Sequence, residues 1–383
     1  MKLIAQVKLL PAPEQANALK RTVEAANTAC NFVSQRAWQT RTFKQYDLHH
    51  LCYKEIRARF DISAQVAVRV IAKVADAYKL DQKTQRTFKR LGSIAYDDRI
   101  LSWQLQANRI SIWTVDGRLH IPFVCGKRQR ELLQTRQGES DLAWSRGKFF
   151  LAATCEVEEA ELIDVEGVLG VDLGIKNLAV DSDGEVYSAS QINHVRYRNR
   201  RLRTQLQSKG TKSAKRKLKK LSGKEHRFAK DTNHCISKQL VTKAKDTRRA
   251  VALEDLGGIR ARVTVRRSQR ARLHSWAFFQ LRAFVEYKAR RAGVPVVLVD
   301  PRNTSRTCPQ CGCMDKRNRP TQSTFSCVVC GFSGLADHIA AVNISRRAVV
   351  NQPIVVRDDA KAVSTDTELR RSAVTSHPFL TGV

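Results

Sequence analysis

Alternating apolar and polar positions open the chain and read as a strand over residues 1–10, closed by Pro11 and Pro13. From Glu14 to about Trp38 the apolar positions recur at helical spacing, and a second helical region runs from about Leu51 to Arg86. Between about Leu91 and Glu156 the pattern changes to short alternating runs separated by glycine turns. Ile110–Thr114 and Leu119–Ile121 flank an Asp116-Gly117 pair and predict a β-hairpin, and Ala143–Phe150 predicts another. These runs imply a small β-barrel, residues 1–12 and 87–163, with a helical insertion over 13–86. Asp164–Gly167 is the expected boundary to a second region. There Val168–Val180 reads as strand, turn, strand. Residues 351–383 carry no period and are expected to form a mobile tail.

Charge narrows the function. The 383 residues hold 68 Lys and Arg against 36 Asp and Glu, a formal net charge of +32. So much uncompensated positive charge favours a polyanionic partner, and nucleic acid gains further from counterion release. Fifteen cations and a single acid, Glu225, fall between Arg196 and Lys230. That stretch reads as a helix pair gripping a phosphate backbone, with Arg196, Arg200, Arg203, Lys215, Arg216, Lys219 and Lys220 as candidate contacts; a solvated charged face is the alternative. No run approaches the roughly 20 apolar residues of a membrane span. The first residues lack a secretory apolar core, so a cytoplasmic protein is expected, with no membrane partner.

Three acids interrupt apolar runs. Asp172 lies in Val168-Leu169-Gly170-Val171-Asp172-Leu173-Gly174, Glu254 ends Ala250-Val251-Ala252-Leu253-Glu254, and Asp337 precedes Ile339-Ala340-Ala341 at helical spacing. A buried carboxylate is costly unless something pairs with it, and a divalent cation is such a partner. Three carboxylates from separate elements suit two Mg²⁺ or Mn²⁺ ions about 4 Å apart, the arrangement that hydrolyses phosphodiesters. Each acid alone also reads as a satisfied structural carboxylate. Asp181, Asp183, Asp255, Asp300 and Asp315 read as turn or surface residues.

Of ten cysteines, five crowd between Cys308 and Cys330. Cys308, Cys311, Cys327 and Cys330 form two CxxC pairs with fifteen residues between them, the spacing of a structural zinc ribbon holding one Zn²⁺. Four thiolates leave zinc no open position, so this site is not catalytic. Cys313 reads as a bystander, and Cys30, Cys52, Cys125, Cys155 and Cys235 as single thiols. Trp276, Phe278, Phe279 and Phe284 share helical spacing and are expected in a core. Arg302, Asn303, Thr304, Ser305 and Arg306, in the loop before the first knuckle, read either as contacts to a scissile strand or as simple turn residues; His338, beside Asp337, is either a supporting group or exposed.

The ordered set GVDLGIKN, a basic helical span, ALEDLGGIR, a CPQCG knuckle, a second CxxC and ADHIAAVNI resembles the TnpB (OrfB) family of transposon-encoded proteins, relatives of the type V CRISPR effectors. The resemblance covers roughly residues 165–348. It implies an RNase H-like (RuvC) core over 164–305 and 333–350, with a mixed sheet flanked by helices and an inserted zinc ribbon over 306–332. It also implies that the barrel is a wedge domain and that the helices of 13–86 form a recognition lobe. A guide RNA from the transposon end and DNA, double- and single-stranded, would be the partners of a monomer, with Asp172, Glu254 and Asp337 as the catalytic acids. At one position the chain departs from the family: Ile339 replaces the usual Asn two residues after the third acid. That change either weakens a hydrogen bond in the site or lies outside the metal's ligands. Three rival functions stand beside RNA-guided cleavage: a transposase acting without RNA, an RNA-guided DNA-binding repressor with an impaired nuclease, and a compact CRISPR effector.

Overall fold

The computed structural model describes residues 1–174, 176–256 and 278–350. The expected tail, Trp276 and the side chain of Phe278 lie outside them. The chain divides into two compact units, Met1–Glu158 and a second that begins at Glu159.

In the first unit, strand β1 (Lys2–Leu9) is followed by helices α1 (Pro13–Thr40), α2 (Gln45–Arg59) and α3 (Ala64–Leu80). Pro13 sits at the first helical position, where its missing N–H costs nothing. The expected second helical region is thus two helices, broken at residues 60–63, and it stops at Leu80 rather than Arg86. Residues 86–92 instead run as a strap along α1, without helix or strand, that ends in a turn where Gly92 N–H donates to the Lys89 carbonyl. Ser34 donates to the Arg86 carbonyl, the Asn31 amide takes up both backbone groups of Phe88, and Asn27 donates to the Gly92 carbonyl. Polar residues at positions 27, 31 and 34 of one helix face thus satisfy a backbone that a sequence period does not reveal.

Strands β2 (Ile94–Tyr96), β3 (Leu101–Gln104), β4 (Arg109–Thr114) and β5 (Gly117–Val124) follow, then helix α4 (Lys127–Leu133) and strands β6 (Arg136–Ser145) and β7 (Lys148–Glu156). All seven strands form one sheet in the order β2-β6-β7-β1-β5-β4-β3. The Tyr96 hydroxyl on one edge strand donates to the Trp113 carbonyl near the opposite edge, 3.1 Å away, so the sheet curls into a nearly closed barrel. Both predicted hairpins are present; the first turns at Val115-Asp116, one residue earlier than expected, with Gly117 already paired in β5, and the second at Arg146-Gly147.

The second unit is built on a five-stranded mixed sheet: β8 (Gly167–Asp172), β9 (Asn177–Asp181), β10 (Val186–Ser188), β11 (Arg249–Glu254) and β12 (Val296–Val299), in the order β10-β9-β8-β11-β12. The central pair β8 and β11 is parallel, as are β11 and β12; β9 and β10 run antiparallel. Two long helices, α5 (Ser190–Lys209) and α6 (Lys212–Asp246), connect β10 to β11, and α7 (Phe278–Ala292) precedes β12. Helix α8 (Ala336–Val350) ends the described chain.

The two central strands are apolar on both faces, as internal parallel strands are. Leu169, Val171, Val251 and Leu253 meet Ile236 and Leu240 of α6 and Leu281 and Val285 of α7. Val168, Ala250 and Ala252 meet Ile344 and Ala348 of α8 on the other face. The result is three layers, helices–sheet–helix. Gly170 faces α8 so closely that a Cβ there would lie 2.1 Å from the Ala341 carbonyl oxygen. Ser345 reinforces the contact by donating to the Val168 carbonyl at 2.7 Å.

Two expectations fail. Phe279 is 72% exposed; the buried stripe of α7 is Leu281, Val285 and Ala289, one face over. Asp181 is fully buried rather than at the surface, and is held by the Lys243 ammonium at 2.5 Å. That ammonium also pairs with Asp183 and Glu185, and Arg249 pairs with Asp183 at 2.7 Å, so two cations compensate the three acids of the β9–β10 turn.

Candidate active site and metal centre

Strand geometry puts two acids side by side. Residues two apart on a strand share a face, so Asp172 follows Val168 and Gly170 onto the α8 side of β8, and Glu254 follows Ala250 and Ala252 on β11. The parallel register pairs Val171 with Leu253, so the two acids stand one residue further on, together at the carboxyl ends of neighbouring strands. In open sheets with parallel strands the crevice outside those ends is the usual ligand position. Asp337, in the first turn of α8, reaches the same end.

The electrostatics record this convergence. Burial first, then the charges of Glu254 and Asp337, push the Asp172 carboxyl well above its ordinary range. Burial also raises Glu254, which is 8% exposed, while a hydrogen bond from Thr304 and the charges of Arg347 and Arg319 draw it back. The Thr304 hydroxyl lies 2.5 Å from Glu254 Oε1. Asp337 accepts from Asn177 Nδ2 at 2.9 Å and pairs with Arg319 at 3.3 Å. Arg319 was not singled out in the sequence: it is one cation among many, eighteen positions before Asp337, and only the fold of the ribbon brings it over the acids. The donor set is three carboxylates, all hard oxygen ligands, with more negative charge than Arg319 offsets. That chemistry fits Mg²⁺ or Mn²⁺.

Among the described residues, the one set of three or more Cys, His, Asp or Glu side chains whose ligand atoms all lie within 4.8 Å of one another is Cys308, Cys311, Cys327 and Cys330. Cys308 and Cys330 sulfurs are 3.6 Å apart, and those of Cys311 and Cys327 3.5 Å. Tetrahedral zinc with bonds of about 2.3 Å needs sulfurs about 3.8 Å apart, so the four thiols fit one Zn²⁺. The two knuckles repeat one geometry. Gly312 and Gly331, at φ 73° and 74°, donate to the carbonyls of Cys308 and Cys327 at 3.0 and 3.1 Å. Strands β13 (Thr324–Ser326) and β14 (Ser333–Leu335) complete the ribbon. Buried Asn318, a residue without a sequence signal, ties the knuckles together: it donates to the Arg306 and Cys313 carbonyls and accepts from Val328 N–H. Cys313 stands outside the cluster.

Ile339 is 3% exposed and packs with Cys308, Phe325, Cys327 and Ala336 in the ribbon core. It fills apolar space there. His338 Nε2 lies 3.1 Å from the Ser182 carbonyl, anchoring the start of α8 to the β9–β10 turn.

The basic helices separate into two groups of cations. Arg203 and Asn199 of α5 bind the Glu225 carboxylate of α6 at 2.7 and 3.0 Å, and Arg196, part-buried, also senses that charge. Arg196 and Arg203 therefore face the seam between the helices. Arg200, Lys215, Arg216, Lys219 and Lys220 are exposed, as are Arg302 and Arg306 beside Thr304. No described helix is long and apolar enough to cross a membrane.

Two family models match the chain: a probable transposase family of the OrfB type over residues 153–257, and the TNB domain of Cas12f1-like proteins over 278–344. The first contains Asp172 and Glu254; the second contains Arg319, Asp337 and the four zinc-type cysteines. Over these two segments the chain is similar to the TnpB (OrfB) family and the related Cas12 nucleases. It is 29% identical over 228 residues to the TnpB-like protein of Methanocaldococcus jannaschii, a match covering 54% of this chain and 81% of that one. It is equally 29% identical to the CRISPR-associated endodeoxyribonuclease Cas12f1 of Sulfoacidibacillus thermotolerans, over 52% of this chain and 50% of the relative. With the putative RNA-guided DNA endonuclease InsQ of Escherichia coli it shares 26% identity over 60% of its length and 61% of the relative's. The chain thus spans about half the length of the Cas12f1 relative and most of the archaeal one. The fold is similar to Cas12f1 in a complex with guide RNA and target DNA, with a TM-score of 0.58 at 16% identity, covering 87% of this chain and 83% of that structure.

Proposed function

We propose that this protein is an RNA-guided, metal-dependent DNA endonuclease, with Asp172, Glu254 and Asp337 as its catalytic acids. The observation that carries the reading is the meeting of Asp172 and Glu254 at adjacent strand ends with Asp337 above them, in a chain similar to the TnpB family. The sheet order β10-β9-β8-β11-β12, with its antiparallel β9 and β10, supports an RNase H-like (RuvC) core. The barrel would then be the wedge domain, and α1 to α3 the recognition lobe. The names of the relatives support guide RNA and DNA as partners.

In this mechanism the protein's own residues act as follows. Asp172 and Glu254 present oxygen donors fixed by the strand register. Thr304 orients Glu254, and Asn177 and Arg319 hold Asp337. Arg319, a guanidinium beside three acids, is placed to meet a phosphate entering the site. Bound Mg²⁺ or Mn²⁺ ions supply activation of the attacking water and charge stabilisation at the departing oxygen. The exposed cations of α5 and α6 hold the nucleic-acid backbone without reading sequence; base pairing with the guide does that. Zinc at the four cysteines would be structural.

The single feature that favoured an impaired binder, Ile339, packs in the ribbon core and offers no argument against cleavage. The test is to purify the protein with its flanking DNA, sequence the bound RNA, and challenge the complex with a matched plasmid and Mg²⁺. A discrete RNA, guide-dependent cutting, and loss of cutting with retained DNA binding in Asp172→Ala are expected. Cutting by Asp172→Ala would overturn the site assignment; purification without RNA would revive the unguided transposase.

A further inference from the structure

We propose that Thr304 is the positioning residue of Glu254, held in place by Asn343 and Arg347 of α8 through the loop of residues 300–307. The inference rests on the assignment of Glu254 as a metal-binding acid.

Thr304 is 3% exposed, next to a carboxylate that is itself nearly buried. Its hydroxyl has one proton and two possible acceptors: Glu254 Oε1 at 2.5 Å and the Pro301 carbonyl at 3.2 Å. A separation of 2.5 Å is that of a charge-assisted O–H···O⁻ bond, so the proton goes to Glu254. The carboxylate then has one oxygen fixed and the other left for a cation. A donor of this kind sets the orientation of a metal-binding group without touching the metal.

The donor is worth little unless its backbone is fixed; within the loop, turns form on Asp300 and Asn303 but leave the Thr304 carbonyl to an outside partner. α8 supplies them. Asn343, 5% exposed, spends both amide protons on this loop, on the Thr304 carbonyl at 2.8 Å and the Thr307 carbonyl at 2.7 Å. One turn later Arg347 donates to the Asp300 and Arg302 carbonyls at 3.0 and 2.6 Å. Four carbonyls of one short loop are thus held from a single helix face. The same helix carries Asp337 at its start. The orientation of Glu254 and the position of Asp337 are therefore set by one rigid body, although the two acids are 83 residues apart in sequence.

Thr304→Val keeps the shape and removes the donor; Thr304→Ser keeps the donor. The full chain with its RNA is used throughout. Mn²⁺ binding is measured directly from the spectroscopic signal of the free ion, and cleavage is followed against Mg²⁺ concentration. Thr304→Val is expected to weaken Mn²⁺ binding and raise the half-saturating Mg²⁺ by about tenfold or more, the usual effect of losing an outer hydrogen-bond partner. Guided DNA binding should be unchanged, and Thr304→Ser should restore both metal readouts to within a few-fold of the parent. If the valine variant fails to fold, Thr304→Ala carries the same expectation. Parental Mn²⁺ affinity and Mg²⁺ dependence in the folded valine or alanine variant would overturn the proposal, as would a serine variant no better than valine. A parent that cuts while Asp172→Ala does not, beside an unaffected Thr304→Val, refutes the positioning role alone. A parent that neither binds Mn²⁺ at these acids nor cuts refutes the assignment of Glu254, and this proposal with it.

Discussion

Gly170→Ala should damage this protein out of proportion to the single methyl it adds. The new Cβ would lie 2.1 Å from the Ala341 carbonyl oxygen, 2.5 Å from Ser345 N and 2.9 Å from Ser345 Cβ. Carbon and carbonyl oxygen approach to about 3.3 Å at closest, so α8 and β8 must part by roughly 1.2 Å. Two of the three obstacles are backbone atoms of a buried helix, which no rotamer change can move. Overpacking in a filled core costs about 1–3 kcal/mol, and this site belongs at the top of that range. The displaced helix carries Asp337, Asn343 and Arg347, so the acids lose register as well. Misplacement by about 1 Å at a reacting centre costs roughly a hundredfold in rate. Urea unfolding of the full chain and guided plasmid cleavage are the two measurements, with guided DNA binding as the control. Gly167→Ala is the internal comparison, three residues earlier on the same strand, where a Cβ meets only the Arg249 side chain at 3.7 Å. It should be close to neutral. Equal unfolding midpoints and equal cleavage for the parent and Gly170→Ala would show that α8 does not rest on β8 at this contact.

Three further outcomes follow from particular contacts. Cys327→Ser should lower zinc content from one ion per chain towards none, as read by elemental analysis, and should expose the ribbon to protease; full zinc retention would refute the four-thiol site. Ile339→Asn, which installs the residue usual in the family, should not raise cleavage. It should cost about 3 kcal/mol of stability, because an amide would sit without a partner among Cys308, Phe325 and Cys327; a gain in cleavage would place residue 339 in the active site instead. The third concerns pH. A hydrogen bond from Arg249, chiefly, holds the Asp183 carboxyl well below its ordinary value of about 3.9. A group depressed on folding contributes stability that is complete above the unfolded value and is lost as pH falls towards the folded one. Asp183→Asn should therefore lower stability at neutral pH and flatten the acid limb of the unfolding profile below about pH 4; parallel limbs for the two proteins would exclude that role.

Sequence legibility follows the range of the contact that matters. An apolar run ending on an acid is a local pattern, and the structure duly ends β8 on Asp172 and β11 on Glu254. Paired CxxC spacing is local too, and the four sulfurs gather as it implies. The two hairpins are legible because a positive-φ glycine between alternating runs, Gly117 at the end of one turn and Gly147 within the other, has few other uses. What the period could not show are groups whose meaning depends on a distant partner. Arg319 is one of 68 cations until the ribbon folds over Asp337. Asp181 looks like a turn residue because its counter-ion, Lys243, is 62 residues away. Phe279 looks like core because helical spacing fixes the neighbours on a face but not which face turns inward, and the choice falls on Leu281 and Val285. The strap at 86–92 lacks a period because asparagine and serine side chains of α1, rather than another strand, satisfy its backbone.

Helix α8 explains why the third acid, the ribbon and the loop of residues 300–307 occur in the order they do. Its residues point successively at different neighbours. Asp337 meets the site, Ile339 the ribbon core, Asn343 and Arg347 the loop, and Ser345 with Ala341 the strand that carries Asp172. A helix turns about 100° per residue, so one helix of fifteen residues can serve all four without a bend. The loop and the ribbon lie immediately before it in the chain, which keeps the segments they close short and their ordering cheap. A zinc ribbon inserted there does more than fold itself. Its first knuckle begins one residue after Thr307, whose carbonyl Asn343 holds, and its core receives Ile339 two residues after Asp337. The ribbon is thus in contact with both sides of the acid cluster, with Glu254 through Thr304 and with Asp337 through α8 itself.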